Sequence, residues 1–258
     1  MNYKDKANKA ELIKYKDKNL KKLDAILSLG INSSDDNEYK RAALISYWLD
    51  DFNKYLSWEK TFDPKHLKKY ERGDIIKVNL GFNVGDEQGG MHYAVVLENN
   101  NALSNAVVTV IPLSSKKATK PVHPNDVDLG NDIYTKLKIK LTEKKKSLKS
   151  NLKELVELNA LLIKSSDIPE DSPEVQVHIA SLSKKIDEAK KQLTNISKIE
   201  KEIAQMKVGS IAVISQITTV SKLRIFDPRS SEGVLSNVKL SPENLDLINE
   251  KMKELFLR

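Results

Sequence analysis

The sequence has no cysteine among its 258 residues. Disulfide bonds and cysteine-ligated metal sites are therefore excluded, and a reducing compartment is compatible with this composition. Long apolar runs are also missing, because no stretch approaches the ~20 residues that a membrane-spanning helix needs. The first residues, Met1–Lys6, lack the apolar core of a signal peptide. We therefore expect a cytoplasmic protein that has no membrane association.

Glycine and histidine are scarce, with nine and four residues respectively, and several of them fall together. Residues 75–80 and 93–98 are predicted to be two strands, and the loop between them contains Gly85, Gly89, Gly90 and, at its far edge, His92. Glycine lets the backbone approach a ligand closely and adopt positive φ without steric cost. An imidazole beside such a loop is a candidate proton-transfer group. The segment is therefore a candidate site for phosphodiester chemistry.

Charge is abundant and unbalanced. Charged residues make up 31% of the chain, the formal net charge is +7 and the sequence pI is about 9.2. A basic protein attracts polyanions through long-range electrostatics, although lysine-rich helices are often simply well solvated. The hydrophobic fraction of 40% suits a globular protein of one large or two modest domains.

Periodicity divides the chain into helical and β segments. Apolar residues at helical spacing predict two helices in an N-terminal extension, and heptad spacing on both sides of a proline-containing break predicts an antiparallel coiled-coil hairpin. Each arm of about 30 residues would project roughly 45 Å. Ser241-Pro242-Glu243 is typical of a helix start. The predicted segments are helices over 2–29 and 38–60, strands over 75–80, 93–98 and 106–113, a loose region around 121–130, the hairpin over 134–206, strands over 211–217 and 223–226, and a helix over 243–256.

Three motifs in order resemble one known family. Arg72-Gly73-Asp74 opens a strand, and Val84-Gly85-Asp86-Glu87-Gln88-Gly89-Gly90 precedes the next one. The segments Val107–Ser115 and Gly209–Val220 follow as two further strand blocks. Together they resemble the MazF/PemK toxins, small metal-independent endoribonucleases of bacterial toxin–antitoxin systems. The resemblance implies an α+β fold, an SH3-like small β-barrel of MazF/PemK/CcdB type. The barrel would comprise residues 67–133 and 207–258, with 134–206 inserted and 1–66 as an N-terminal helical extension.

The resemblance also implies a catalytic pair. In the family, an arginine two residues after the Gly-Gly pair and a threonine at the end of the next strand carry the catalysis. The matching positions are His92 and Ser114, and Tyr93 replaces the proline that usually follows the arginine. A histidine can transfer a proton near neutral pH. Ser114 has a hydroxyl donor like the family threonine, so it can make the same kind of contact with phosphate. The other interpretation of His92 is a histidine hydrogen-bonded at a strand start.

Further residues are candidates for substrate binding, each with a structural alternative. Glu87 and Gln88 would orient the catalytic group or contact a base, or else close the backbone bonds of their own loop. Arg72 would contact substrate or form an ion pair with Asp74. The loop glycines Gly89 and Gly90 are further candidates. Lys77 and Lys116 would face either phosphate or solvent. Gln216 would lie at the substrate rim or have a structural role. We expect no metal site and no cofactor.

Several functions remain open at this level. The resemblance implies cleavage of single-stranded RNA by attack of its 2′-hydroxyl, control by an antitoxin protein, and a homodimer. A non-catalytic module that binds nucleic acid or protein is the alternative that the arginine-to-histidine departure favours. The hairpin would be a docking or oligomerisation arm, or a spacer. The N-terminal helices have no assigned role, and one hypothesis makes them an inhibitory segment. Trp48 and Trp58 are interpreted as helix-packing residues rather than base-stacking platforms.

Overall fold

The computed structural model describes residues 4–117, 119–164 and 172–257, and these residues form an α+β protein. The α+β class expected from the sequence is therefore confirmed. Short 3-10 turns join several of the elements. The helices and strands are α1 Lys9–Ile31, α2 Asp36–Trp58, β1 Ile75–Asn79, β2 Met91–Val96, β3 Val107–Ser115, β4 Val127–Gly130, α3 Asp132–Lys164, α4 Pro173–Gln205, β5 Ser210–Ala212, β6 Thr218–Ser221, β7 Ile225–Asp227 and α5 Pro242–Phe256.

The chain divides into two compact units. The first contains α1, α2 and the segment Asn79–Met91, and the second contains the remaining residues from 63 onward. In the first unit, Gly30 lies in the last turn of α1, where a Cβ would stand 2.8 Å from the Cβ of Ala42. The helix α1 continues past Gly30 to Ile31, and Asn32 is the capping residue. The glycine therefore allows the two helices to approach closely.

The sheet is built around β3, the longest strand. Its first half pairs with β6 and its second half with β5, and β2 lies on its other side. The strand path runs β4-β5-β3-β2-β1-β7, with β6 attached to β3. In the described part of the chain this path is open, so the closed SH3-like barrel remains a prediction.

Two late strands differ from the sequence prediction. The strand expected over 211–217 is interrupted, because β5 ends at Ala212 and a 3-10 turn over Ile214–Gln216 precedes β6. The interruption falls opposite Pro112 of β3, and a proline has no N–H to donate to a neighbouring strand. The strand β4 was expected to be a loose region. It pairs with β5 and is too short for periodicity to reveal.

One apolar core lies under the sheet of the second unit. Strand side chains such as Ile75, Val95 and Ile111 meet Ile248 of α5 there. The roots of the inserted helices take part as well, through Ile133, Leu137 and Met206. The first and last turns of the hairpin are therefore integral to the core of this unit.

The helices α3 and α4 are antiparallel over their length. Lys145 pairs with Glu200 near the root, and Lys185 pairs with Glu154 further along. Asn151 of α3 donates a 2.9 Å hydrogen bond to Gln192 of α4. The helical hairpin is thus present, whereas coiled-coil packing remains a prediction. The connecting turn lies outside the described residues apart from Ser172 and Pro173.

Candidate active site

His92 is held in one orientation at the start of β2. Its Nδ1 lies 3.0 Å from the carbonyl oxygen of Leu113 in β3, and the residue is half-buried. A carbonyl oxygen only accepts hydrogen bonds, so Nδ1 carries the hydrogen. In the neutral imidazole the lone pair then lies on Nε2. The strand-start hydrogen bond and the proton-transfer role were alternatives in the sequence interpretation, and this geometry is compatible with both at once.

Ser114 lies next to the residue that His92 contacts. It follows Leu113, whose carbonyl oxygen is the partner of the His92 imidazole. The paired residues of β2 and β3 run from Ala94 opposite Pro112 to Val96 opposite Val110, so His92 and Ser114 both lie beyond the end of this register. Ser114 is half-buried, and its neighbour Leu113 belongs to the apolar core. The structure thus places His92 beside the segment that contains Ser114, and a joint catalytic role of the two stays a prediction.

Lys116 follows at the end of β3 and adds positive charge. Its backbone N–H donates to Gly209 at 3.1 Å, and its ammonium pairs with Asp128 of β4. That pair lowers the pKa of the Asp128 carboxyl, chiefly through the hydrogen bond from Lys116. Gly209 has φ of +87°, and a Cβ there would lie 2.9 Å from the Lys116 side chain. Lys116 is half exposed, so a phosphate could compete with Asp128 for it.

The glycine-rich loop, Gly81–Gly90, is closed by its own backbone. Gly90 donates to Gly81 at 2.6 Å, and Leu80 donates to Gly90 at 2.8 Å. A Cβ at Gly89 would stand 2.8 Å from the Gly81 oxygen, so only glycine fits there. Asn83 donates to the carbonyl of Gln88 at 2.6 Å, which fixes the outer turn. These contacts fit the structural alternative for Glu87 and Gln88, a loop that closes its own backbone bonds, and substrate binding by Gln88, Gly89 and Gly90 stays a prediction.

Glu87 is exposed, as are Val84 and Asp86 of the same loop. Its backbone N–H donates to Val84 at 3.4 Å, and the residue lines a cavity of the first unit. Gln88 is half-buried. Glu87 is therefore a carboxylate of the loop that a ligand in this cavity can reach.

The Arg72 guanidinium is engaged by groups of the protein itself. Its guanidinium donates to the carbonyl of Leu97 and to the side chain of Asn249 in α5. The predicted ion pair between Arg72 and Asp74 is wrong, because each of the two residues has other partners. Asp74 is 2% exposed and instead pairs with Lys68, at 2.9 Å, and with Lys239. The reason is that Asp74 turns inward at a strand start while Arg72 crosses to the C-terminal helix.

Lys77 is tied to the inserted hairpin. Its ammonium lies 2.6 Å from Glu202 of α4 and above the rings of Tyr93 and Phe226. The Tyr93 hydroxyl donates to the same Glu202 carboxylate. Burial, followed by this hydrogen bond, raises the pKa of Tyr93 above its usual range. Sequence reasoning did not find Glu202, because it stands 125 residues from Lys77 and follows the charged pattern of a solvated helix.

Gln216 does not lie on a strand. It ends the 3-10 turn between β5 and β6, and its N–H donates to Val213 at 3.1 Å. Its side chain is half-buried and has contacts. Both the structural and the substrate-rim interpretation of Gln216 remain predictions.

A strand site with an oriented imidazole, a hydroxyl and a lysine defines a candidate phosphodiester-binding domain. Residues 71–157 match the family of PemK-like, MazF-like toxins of type II toxin–antitoxin systems, and this part of the chain is a domain of that family. The resemblance seen in the sequence is thus confirmed. The match contains the first two motif blocks and ends inside α3, and the block at Gly209 lies beyond it. No curated protein matches the chain.

Membrane spans and metal clusters are both absent from the part of the chain that the structure describes. Among the described residues, no helix is both long and apolar enough to cross a bilayer. In the same part of the chain, no three histidine, cysteine or acidic side chains lie close enough together to hold a metal ion.

Proposed function

We propose that the protein is a toxin-like endoribonuclease that cleaves single-stranded RNA without a metal ion. The observation that carries this proposal is the hydrogen bond from Nδ1 of His92 to the carbonyl oxygen of Leu113, which leaves the lone pair on Nε2 and holds the imidazole at the residue before Ser114. The match of residues 71–157 to toxins of type II toxin–antitoxin systems supports this reaction class. His92 takes the place of the family arginine as the group that acts on protons.

The reaction assigns a task to each residue. The neutral Nε2 of His92 removes the proton from the 2′-hydroxyl, whose oxygen then attacks the adjacent phosphorus. The bond from phosphorus to the 5′-oxygen breaks, which leaves a 2′,3′-cyclic phosphate, and the 5′-oxygen takes a proton from water to become a 5′-hydroxyl. The Ser114 hydroxyl and the Lys116 ammonium stabilise the charge that develops on the phosphate. Glu87 contacts a base, with the rigid loop holding it in place.

The finer architecture is part of the same proposal. The two halves of β3 pair with different strands, as in a small strongly bent barrel, so we assign an SH3-like barrel to residues 67–133 and 207–258. Strand β5, which follows the hairpin, pairs with β3 and β4, which precede it. This supports an insertion over 134–206, whose arms we expect to pack as a coiled coil.

The partners follow from the family. A type II toxin implies an antitoxin protein, and we propose one that covers the His92 face. We also propose that the protein acts as a homodimer in the cytoplasm, where single-stranded RNA is available. Co-expression with a small acidic protein encoded beside it, followed by co-purification, would test the partner.

The decisive experiment is cleavage of a long single-stranded RNA by purified protein in EDTA. We expect wild type to release fragments with 2′,3′-cyclic phosphate ends, and His92→Ala to lose about 100-fold or more in rate. His66→Ala, which changes an exposed histidine in a 3-10 turn, is the matched control and should cleave like wild type. Equal rates for wild type and His92→Ala would refute the site assignment. RNA binding without any cleavage by folded wild type would favour the non-catalytic module.

A further inference from the structure

The first unit contains a cavity that the family resemblance does not account for. It measures about 610 Å³ and lies between α2 and the glycine-rich loop. This volume is in the range of pockets that hold small ligands, about 300–1,000 Å³. The helix contributes aromatic and charged side chains, and the loop contributes mainly backbone.

Two anchors hold the helix and the loop at a fixed spacing. Asp51 of α2 accepts a 2.8 Å hydrogen bond from Asn79, and the same Asn79 side chain accepts one from the backbone of Gly81 at 2.9 Å. Asn79 is 5% exposed. Arg41 of α2 lies 5.1 Å above the ring of Phe82 in the loop. The cavity walls are therefore connected on both sides by specific contacts.

The helix wall has the chemistry of a nucleotide platform. Tyr47 and Trp48 line the cavity together with the cations Lys40 and Arg41. Tyr47 is 69% exposed, so its ring is accessible. Aromatic rings stack on nucleobases of any sequence, and lysine or arginine neutralises the adjacent phosphates.

The aromatic row continues along α2 beyond the cavity. Ring centroids are 5.8 Å apart for Trp48 and Phe52 and 6.0 Å apart for Tyr55 and Trp58. Phe52 and Trp58 are 42% and 49% exposed. Trp58 thus packs against Tyr55 of the same helix while about half of its surface faces solvent, and its interpretation as a helix-packing residue stays a prediction.

The loop wall is suited to close approach. It consists largely of glycine backbone, at Gly81, Gly85, Gly89 and Gly90, together with the Glu87 carboxylate. A planar base can pack closely against such a backbone, and a carboxylate can accept a hydrogen bond from an exocyclic amino group. Cations and rings on one wall and acceptors on the other match a nucleotide better than an apolar peptide.

We infer that this cavity binds one nucleotide of single-stranded RNA, with Tyr47 and Trp48 stacking on its base and Lys40 and Arg41 contacting its phosphates. The inference rests on the proposed function, because it assigns the N-terminal helices to substrate binding. It replaces the hypothesis of a purely inhibitory extension.

The test uses the full-length protein and a fluorescein-labelled 20-mer RNA with 2′-O-methyl riboses throughout, which cannot be cleaved through its own 2′-hydroxyl. Binding is measured by fluorescence anisotropy at several salt concentrations. We expect Tyr47→Ala to weaken binding by about tenfold, and Tyr47→Phe to bind like wild type because the ring is kept. Arg41→Gln should lower the slope of log Kd against log salt by about one. Tyr39→Ala, an exposed tyrosine of the same helix outside the cavity, is the matched control.

The outcomes separate this inference from the proposed function. Cleavage in EDTA together with unchanged RNA affinity in Tyr47→Ala would overturn the cavity assignment alone. A tenfold loss in Tyr47→Ala without any cleavage by wild type would support the cavity and refute the nuclease. A circular dichroism spectrum identical to wild type shows that the variant is folded. Loss of binding to a protein partner in Tyr47→Ala, with RNA affinity unchanged, would also overturn the inference.

Discussion

The Lys77–Glu202 pair offers the sharpest test of how the inserted hairpin is fixed to the sheet. The two side chains are 20% and 15% exposed, and their charged atoms are 2.6 Å apart. At an effective dielectric constant of about 20, this separation corresponds to about 6 kcal/mol of Coulomb energy before desolvation is subtracted. Removing one partner of a fully buried pair costs about 3–5 kcal/mol. Since both groups retain some solvent contact, we expect about 2 kcal/mol for Glu202→Gln.

A double-mutant cycle isolates the interaction. Urea unfolding of wild type, Lys77→Met, Glu202→Gln and the double variant gives four free energies of unfolding at pH 7. Methionine keeps the apolar stem of Lys77 against the Tyr93 and Phe226 rings, so the charge is the main change. We expect the two changes together to cost less than the sum of the single changes, by about 1–2 kcal/mol. A coupling energy below about 0.3 kcal/mol would refute the argument, because that is the value for independent sites.

The same variants decide whether Lys77 serves the substrate. If its role is structural, Lys77→Met lowers stability and leaves RNA affinity and the salt dependence of binding unchanged. A phosphate-binding lysine would instead lose affinity in Lys77→Met and gain it in Glu202→Gln, because the ammonium is released from its carboxylate. The geometry favours the first result.

Three further predictions follow from individual contacts. Ser114→Thr should retain RNA cleavage because it keeps the hydroxyl, whereas Ser114→Ala should lose about 100-fold in kcat, and equal rates would remove Ser114 from the mechanism. Lys140 donates to the carbonyls of Gly233, Val234 and Ser236, so Lys140→Met should cost about 1–2 kcal/mol in urea unfolding at pH 7. Burial lowers the pKa of Lys140 from 10.5 to about 8. Between these two pH values the unfolded chain binds more protons than the folded protein, so the free energy of unfolding rises with pH. Wild type should therefore gain stability relative to Lys140→Met as the pH rises from about 8 to 10.5. Replacing residues 148–191 by a short glycine-serine linker keeps the roots of both helices and their core residues, so the shortened protein should fold and cleave RNA. If its circular dichroism spectrum shows that it is unfolded, the outer part of the hairpin is required for folding.

Local patterns in the sequence determined the helices and the candidate loop. The helix starts could be predicted because capping residues act within one turn, as Asp35 and Ser241 do. The glycine-rich loop and His92 were recognisable because their function depends on residues that are adjacent in the chain. The domain match over 71–157 agrees with these same motifs.

The tertiary structure decided what each candidate residue contacts. Lys77 and Arg72 are engaged by Glu202 and Asn249, partners that are distant in sequence and carry no local signal. The break between β5 and β6 depends on what stands opposite in β3, which no pattern within those strands contains. The cavity beside α2 likewise exists only because a helix and a loop from separate parts of the chain are held together by Asp51 and Asn79. Periodicity encodes which face of an element is apolar, whereas the partner of a charged side chain is set only when the elements pack.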